Sequence, residues 1–201
     1  MGDRSERIWA VDPGLGSLGI AALDIEIQQK ATVRSVAYFE SSKAKAKLNI
    51  LAADDTAERA RELHRFLCAF WDEQCPTGST ARSAPAPRAI LAEAQSWPRN
   101  AGASAKVGVA WGVLVAFADA RDLPILQLSP QKVKKQICGA MTASKDEVET
   151  NVRTRTLWAD NAAYCMTKIK QSAHEHVFDA IAVGLCAYSH PGWSLTRGGR
   201  S

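Results

Sequence analysis

The sequence predicts an α/β fold, a mixed sheet of five strands with helices on both faces. Three observations point there. The first forty or so residues are short apolar runs separated by turns. From residue 88 onward, apolar runs alternate with stretches of helical period. The resulting order joins an antiparallel start to strand–helix alternation.

Taken in order, Ile8-Trp9-Ala10-Val11 is an apolar run stopped by the turn signal Asp12-Pro13-Gly14. Leu18 to Leu23 resumes it, and Ala31 to Phe39 alternates like a half-exposed strand, so the three form an antiparallel meander. Helical spacing follows in Leu63, Phe66, Leu67, Phe70 and Trp71, with Asp55 and Glu58 reading as a capping box before it. Pro76 to Pro87 is a Pro, Ser, Thr and Ala rich loop. Arg88 to Ala94 is apolar nearly throughout, as a central parallel strand would be. Ala103 to Ala120 is helical, with Val107, Trp111, Val115, Phe117 and Ala118 inward. Leu123 to Leu128 is a strand, and Pro130 to Cys138 a basic helix. Ser144 with Glu147 is a capping box that opens a helix to about Trp158, and His174 to Tyr188 is the last helix.

A length of 201 residues suits one domain over residues 1–190, followed by a Gly, Ser and Arg rich tail, 191–201, expected to be flexible. A composition 46% hydrophobic and 23% charged excludes wholesale disorder. No stretch approaches about eighteen uninterrupted apolar residues, so no membrane span is expected. The charged opening, Met1 to Arg7, is not that of a secretory signal. The 5 cysteines are odd in number and form no C-x-x-C pair. Cys68, Cys138 and Cys186 lie in apolar surroundings and read as small core residues in a reducing, cytoplasmic compartment. A formal charge of +4 permits nucleic acid as a partner without requiring it.

The informative anomaly is a carboxylate at the end of a buried strand, because buried charge must be paired or bound to metal. Asp12 ends the first strand and Glu93 nearly ends the fourth. Asp179 interrupts the apolar stretch Val177 to Val183, and His176 and Glu175 precede it by three and four residues on one helix face. If the first and fourth strands are neighbours, these acids meet at one sheet edge. Three carboxylates and an imidazole form a hard site suited to Mg²⁺ or Mn²⁺. Two such ions about 3.5–4 Å apart can activate water and stabilise a leaving oxygen in phosphodiester cleavage. Asp12-Pro13-Gly14 is, equally, an ordinary turn.

Over most of its length the chain resembles the RuvC Holliday-junction resolvases, of the RNase H-like (retroviral integrase) superfamily. The resemblance lies in Ile8 to Gly14, Ala89 to Glu93, Gly108 to Gly112, the basic segment Lys132-Val133-Lys134-Lys135 with Gly139, Ser144 to Val148, and His176 to Ala182. It implies an RNase H-like fold with Asp12, Glu93, His176 and Asp179 as catalytic metal ligands. It also implies two Mg²⁺ per site, a homodimer, and paired hydrolysis of phosphodiesters in a four-way DNA junction. No membrane and no small-molecule cofactor is implied. His176 could also relay a proton, and Glu175 is the alternative for its position. Where the family carries a wedge phenylalanine, this chain has Ser96, then Trp97 and, beyond Pro98, Arg99. Trp97 reads either as a stacking surface for an unpaired base or as a tryptophan half-buried at a loop base.

Lys132, Lys134, Lys135 and Lys145 would neutralise DNA phosphates beside the acids, with Lys134 and Lys145 matching the family's DNA-contacting lysines most closely. Read alone, such a lysine run is a solvated helix face. The helix N-terminus after Ser144 could also receive a phosphate. Two other functions stay open at this level, a broader flap or fork nuclease and a junction-binding protein with weak turnover.

Overall fold

The computed structural model describes residues 5–26, 30–41, 52–76, 86–94 and 101–197. Six strands form one sheet in the order β5-β4-β1-β2-β3-β6. They are β1 (Glu6–Asp12), β2 (Ser17–Ile25), β3 (Ala31–Glu40), β4 (Ile90–Glu93), β5 (Ile125–Leu128) and β6 (Thr156–Trp158). The first three pair antiparallel, β4 runs parallel to β1, and β5 parallel to β4.

Central strands buried on both sides have no polar face, which is why β1 and β4 read as unbroken apolar runs. Successive side chains nevertheless go to opposite cores. Trp9 and Val11 join Ile90 and Ala92 under α1 (Ala52–Gln74) and α2 (Ala101–Asp119), where Trp9 meets Phe70, Trp71 and Phe117. Ile8, Ala10 and Leu91 enter the other core, beneath α6 (His174–Leu185), α3 (Pro130–Cys138), α4 (Lys145–Arg155) and α5 (Asp160–Lys168).

Two glycines let α6 lie close on the sheet. A Cβ on Gly184 would stand 2.3 Å from Leu23 Cδ1, and one on Gly19 would stand 2.1 Å from the His176 carbonyl oxygen. The first turn of α6 therefore rests on the β2 backbone itself.

Several expectations change. The helix opened by Ser144 stops at Arg155, and Thr156–Trp158 becomes the sixth strand, parallel to β3. Thr156 Oγ1 donates to the Val152 carbonyl and accepts from Trp158 Nε1, tying the new strand to the end of α4. The segment after it contains α5. The first helix begins at Ala52, so Asp55 lies inside it, 3.6 Å from Arg59, and not ahead of it as a cap would. Val115 is 50% exposed where an inward position was expected. The tail is folded as far as Arg197: Pro191–Arg197 is a 3₁₀ helix whose Trp193 is buried beneath the Arg88 guanidinium, 4.4 Å from its ring centroid.

By length and composition α2 could cross a membrane, alone among the described helices. Here it packs Trp111, Leu114 and Phe117 onto the sheet instead.

Candidate active site

Strand register assembles the site. Val11 pairs with Ala92, so the next step along both parallel strands sets Asp12 beside Glu93 at the C-terminal sheet edge. That edge is where open α/β sheets bind ligands. Both carboxylates follow residues of the α6-side core, Ala10 and Leu91, and so point toward α6. Across the other border of β1, Asp12 pairs with Gly19. With α6 seated on Gly19, His176 Nδ1 comes 2.7 Å from Asp12 Oδ2. Asp179, three residues further on, shares its face.

The charges report the same convergence. Burial, then Asp12, then Asp179, push the Glu93 carboxyl up to about 8. Burial and then Asp12 push Asp179 up to about 6. The hydrogen bond to Asp12 raises the His176 pKa against the opposing effect of burial. Acids that hold protons near neutrality because they are buried and because they repel one another are a donor set that a divalent cation would relieve. Among the described residues, no three His, Cys, Asp or Glu side chains are gathered as a ready metal cage. Hard oxygens with one imidazole fit Mg²⁺ or Mn²⁺.

The lysines divide. Lys134 and Lys145 both act on Glu93, each lowering its pKa. Lys134 also donates to the Ala143 carbonyl at 2.7 Å, which fixes it beside the turn before α4. Lys132 and Lys135 are exposed on α3 and do not figure among the leading charges felt by Glu93 or Asp179. Lys145 pairs with Glu175. Glu175 thus faces Lys145, with its Oε1 3.9 Å from His176 Nε2, while the bond to Asp12 belongs to His176. Beyond Asp179 lies a cleft of about 630 Å³ between α4, α6 and the segment joining α5 to α6, with Lys145 and Arg153 among its lining residues.

The phosphate expected at the start of α4 meets an occupant. Ser144 N and Oγ both donate to Glu147 Oε2, so a carboxylate of the chain already sits there. Trp97 and Arg99 lie outside the described residues, as does most of the loop from Pro76 to Pro87.

No protein-family model matches the chain. Curated relatives do. The "Crossover junction endodeoxyribonuclease RuvC" of Chlamydia caviae is 25% identical over 182 residues, covering 90% of this chain and 92% of that one. Its namesake from Teredinibacter turnerae is 25% identical over 179 residues, covering 89% and 85%. Among solved structures, T. thermophilus RuvC in complex with Holliday junction substrate superposes with a TM-score of 0.68 at 21% identity, covering 95% of this chain and 97% of that one. The yeast mitochondrial Holliday junction resolvase Ydc2 superposes with a TM-score of 0.60 at 13% identity, covering 96% and 86%. The chain is thus similar to RuvC proteins along about nine-tenths of its length.

The sequence assigned no place in the site to three residues around His176. Tyr38 stacks on its imidazole, with ring centroids 5.7 Å apart and planes 18° from parallel. Lys170 lies over Tyr38 and pairs with Glu40. Gly19 makes room for all of it. Only Gly19 left a trace in the sequence, as a glycine inside a strand pattern, the mark of close backbone approach.

Proposed function

We propose that the chain is a structure-selective DNA endonuclease that resolves four-way junctions by divalent-metal-dependent phosphodiester hydrolysis, in recombination and repair. The observation that carries this reading is the meeting of Asp12, Glu93, Asp179 and His176 at one sheet edge, in a chain with RuvC relatives along nine-tenths of its length.

Asp12, Glu93, Asp179 and His176 would hold two Mg²⁺ ions, with Mn²⁺ as a substitute. Bound there, the ions supply Lewis-acid stabilisation of the phosphoryl oxygens and a more acidic attacking water. The chain's own groups do the rest. The Asp12 bond holds Nδ1–H of His176, so Nε2 is the atom left to take a ligand or move a proton. Lys134 and Lys145 meet the scissile strand with positive charge where the carboxylates alone would repel it. Trp97, Arg99, Lys132 and Lys135 extend the DNA contact in this reading, beyond the metal site.

Paired incision calls for two copies of the chain. The α2 face turned from the sheet supports a homodimer, since Gly108, Gly112, Val115 and Ala116 are exposed along it. A groove of about 540 Å³ beside it, between α1 and α2, is lined by Ala60, Val109 and Val113 with Arg61, His64 and Arg65 at its edge. An apolar surface of this kind is covered when a second copy packs against it. All 5 thiols are free, which suits a reducing cytoplasm.

The deciding experiment compares cleavage of labelled four-way, three-way, flap and linear duplex DNA in Mg²⁺ by wild type and Asp12→Asn. Symmetric nicking of the four-way junction is expected, abolished in Asp12→Asn with binding retained. Undiminished cutting by that variant would overturn the site. Equal cutting of flaps and forks would make the enzyme a broader branched-DNA nuclease, and binding without cleavage in Mg²⁺ or Mn²⁺ would leave only a junction binder.

A further inference from the structure

Three neighbouring strands bring Asp12, Gly19 and Tyr38 into one row, since Asp12 pairs with Gly19 and Gly19 with Tyr38. Paired residues share a face of the sheet, so Asp12 and Tyr38 stand as two posts with the glycine as the gap between them. The backbone of His176 comes down onto that gap. Its imidazole is met from both sides, by Asp12 Oδ2 at 2.7 Å from Nδ1 and by the Tyr38 ring against its face.

The two contacts do different work. A histidine's χ2 torsion is broad and roughly two-fold, so one in-plane hydrogen bond leaves the ring free to rock about that bond or to flip and lose it. A parallel aromatic surface removes that freedom, because leaving the stack costs contact area. Tyr38 is itself held. Ser17 hydrogen-bonds with its hydroxyl, and Lys170 Nζ lies 5.8 Å from its ring centroid. Lys170 is anchored in turn to Glu40, two residues along the same strand.

We propose that Tyr38 is a positioning residue for His176, fixing the plane of the imidazole so that Nδ1 stays on Asp12 and Nε2 faces the reacting phosphodiester. This rests on the nuclease reading given above. It also assigns a task to the segment between α5 and α6, which delivers Lys170 to brace the tyrosine from the far side.

The test uses the full chain and three variants, Tyr38→Phe, Tyr38→Leu and His176→Ala, with Tyr38→Leu also made in the His176→Ala background. In the metal-free protein, the His176 ring protons should carry an upfield ring-current shift that Tyr38→Phe keeps and Tyr38→Leu abolishes. In junction cleavage, Tyr38→Leu should lower kcat by about 10–100-fold, the usual range for a residue orienting a ligand. Junction affinity should be unchanged, and Tyr38→Phe should cleave like wild type. In the His176→Ala background, Tyr38→Leu should cost nothing further. An equal loss in both backgrounds would overturn the proposal, because Tyr38 would then act on DNA or on folding and not through His176. Unmoved His176 signals in Tyr38→Leu would overturn it too. Should wild type fail to cut junctions, the nuclease reading falls while the ring-proton signals still decide whether Tyr38 sets the imidazole.

Discussion

Gly19 lies under the first turn of α6, and any side chain there meets backbone, which cannot swing away as a flexible side chain would. The Cβ of Gly19→Ala would stand 2.1 Å from the His176 carbonyl oxygen and 2.9 Å from the Val177 nitrogen. The helix would have to lift, withdrawing His176 from Asp12 and Asp179 from the sheet edge. We expect a loss of about 1–3 kcal/mol in stability, typical of overpacking, together with a larger loss of cleavage than the stability change explains. Chemical denaturation and junction cleavage at a temperature where the variant is folded measure the two separately. Full activity in a folded Gly19→Ala would mean that α6 need not sit where it does. The acids themselves were readable in the sequence, because a carboxylate closing an apolar run contradicts its surroundings and contradiction is visible without a structure. Tyr38 was not. It looks like any outward residue of an alternating strand, and its role depends on the pairing of Gly19 with Tyr38, a register that no single-sequence pattern encodes.

At the scale of elements, apolar runs and caps located ten of the twelve strands and helices labelled here, and β6 and α5 escaped because neither had a signal of its own. The capping box at Ser144 marked the start of α4 correctly, both hydrogen bonds of the box being present. Its end was misjudged because Thr156-Leu157-Trp158 continues an apparent helix yet finds a partner in β3, and pairing overrides local preference. Leu157 on this edge strand is 73% exposed, so no buried face announced it. The same mixture of signals hid the outer face of α2, whose residues are apolar on all sides while only one side is covered by the sheet. That face carries an element-scale prediction. Val115→Glu places a charge on the uncovered side without touching the core, since Val115 is already 50% exposed. Sedimentation should show wild type as a dimer and Val115→Glu shifted to monomer, with thermal stability at low concentration little changed. A Val115→Glu protein that remains dimeric would place the subunit contact elsewhere.

Across the whole molecule, the site stores an electrostatic cost that folding alone must bear and that a bound cation would remove. Glu93 and Asp179 have ordinary values of 4.5 and 3.8 when unfolded, and folding pushes them up to about 8 and about 6. Between those limits the folded chain holds protons that the unfolded chain has released, so stability falls as pH rises. The His176 shift has the same sign, its contribution being present at low pH and lost as pH climbs through its raised value. Asp24 works the other way. Burial pushes its carboxyl up, but Arg7 and Arg34 outweigh burial and hold it below the usual range, so its contribution is lost only in acid, below the window that matters here. The metal-free protein should therefore melt at a lower temperature at about pH 8 than at about pH 5, the reverse of what acid-sensitive ion pairs alone would give. On the metal reading proposed above, Mg²⁺ would bind the ionised carboxylates of the folded state and not the unfolded chain, so it should restore the midpoint, and restore it more at the higher pH. Glu93→Gln removes the larger shift and should flatten the slope while weakening the Mg²⁺ effect. Thermal melts of wild type and Glu93→Gln, with EDTA and with Mg²⁺ at both pH values, measure all of this. A wild-type midpoint that is level across the window in EDTA and indifferent to Mg²⁺ would mean that the carboxylates do not share one site, and with that the metal assignment would go.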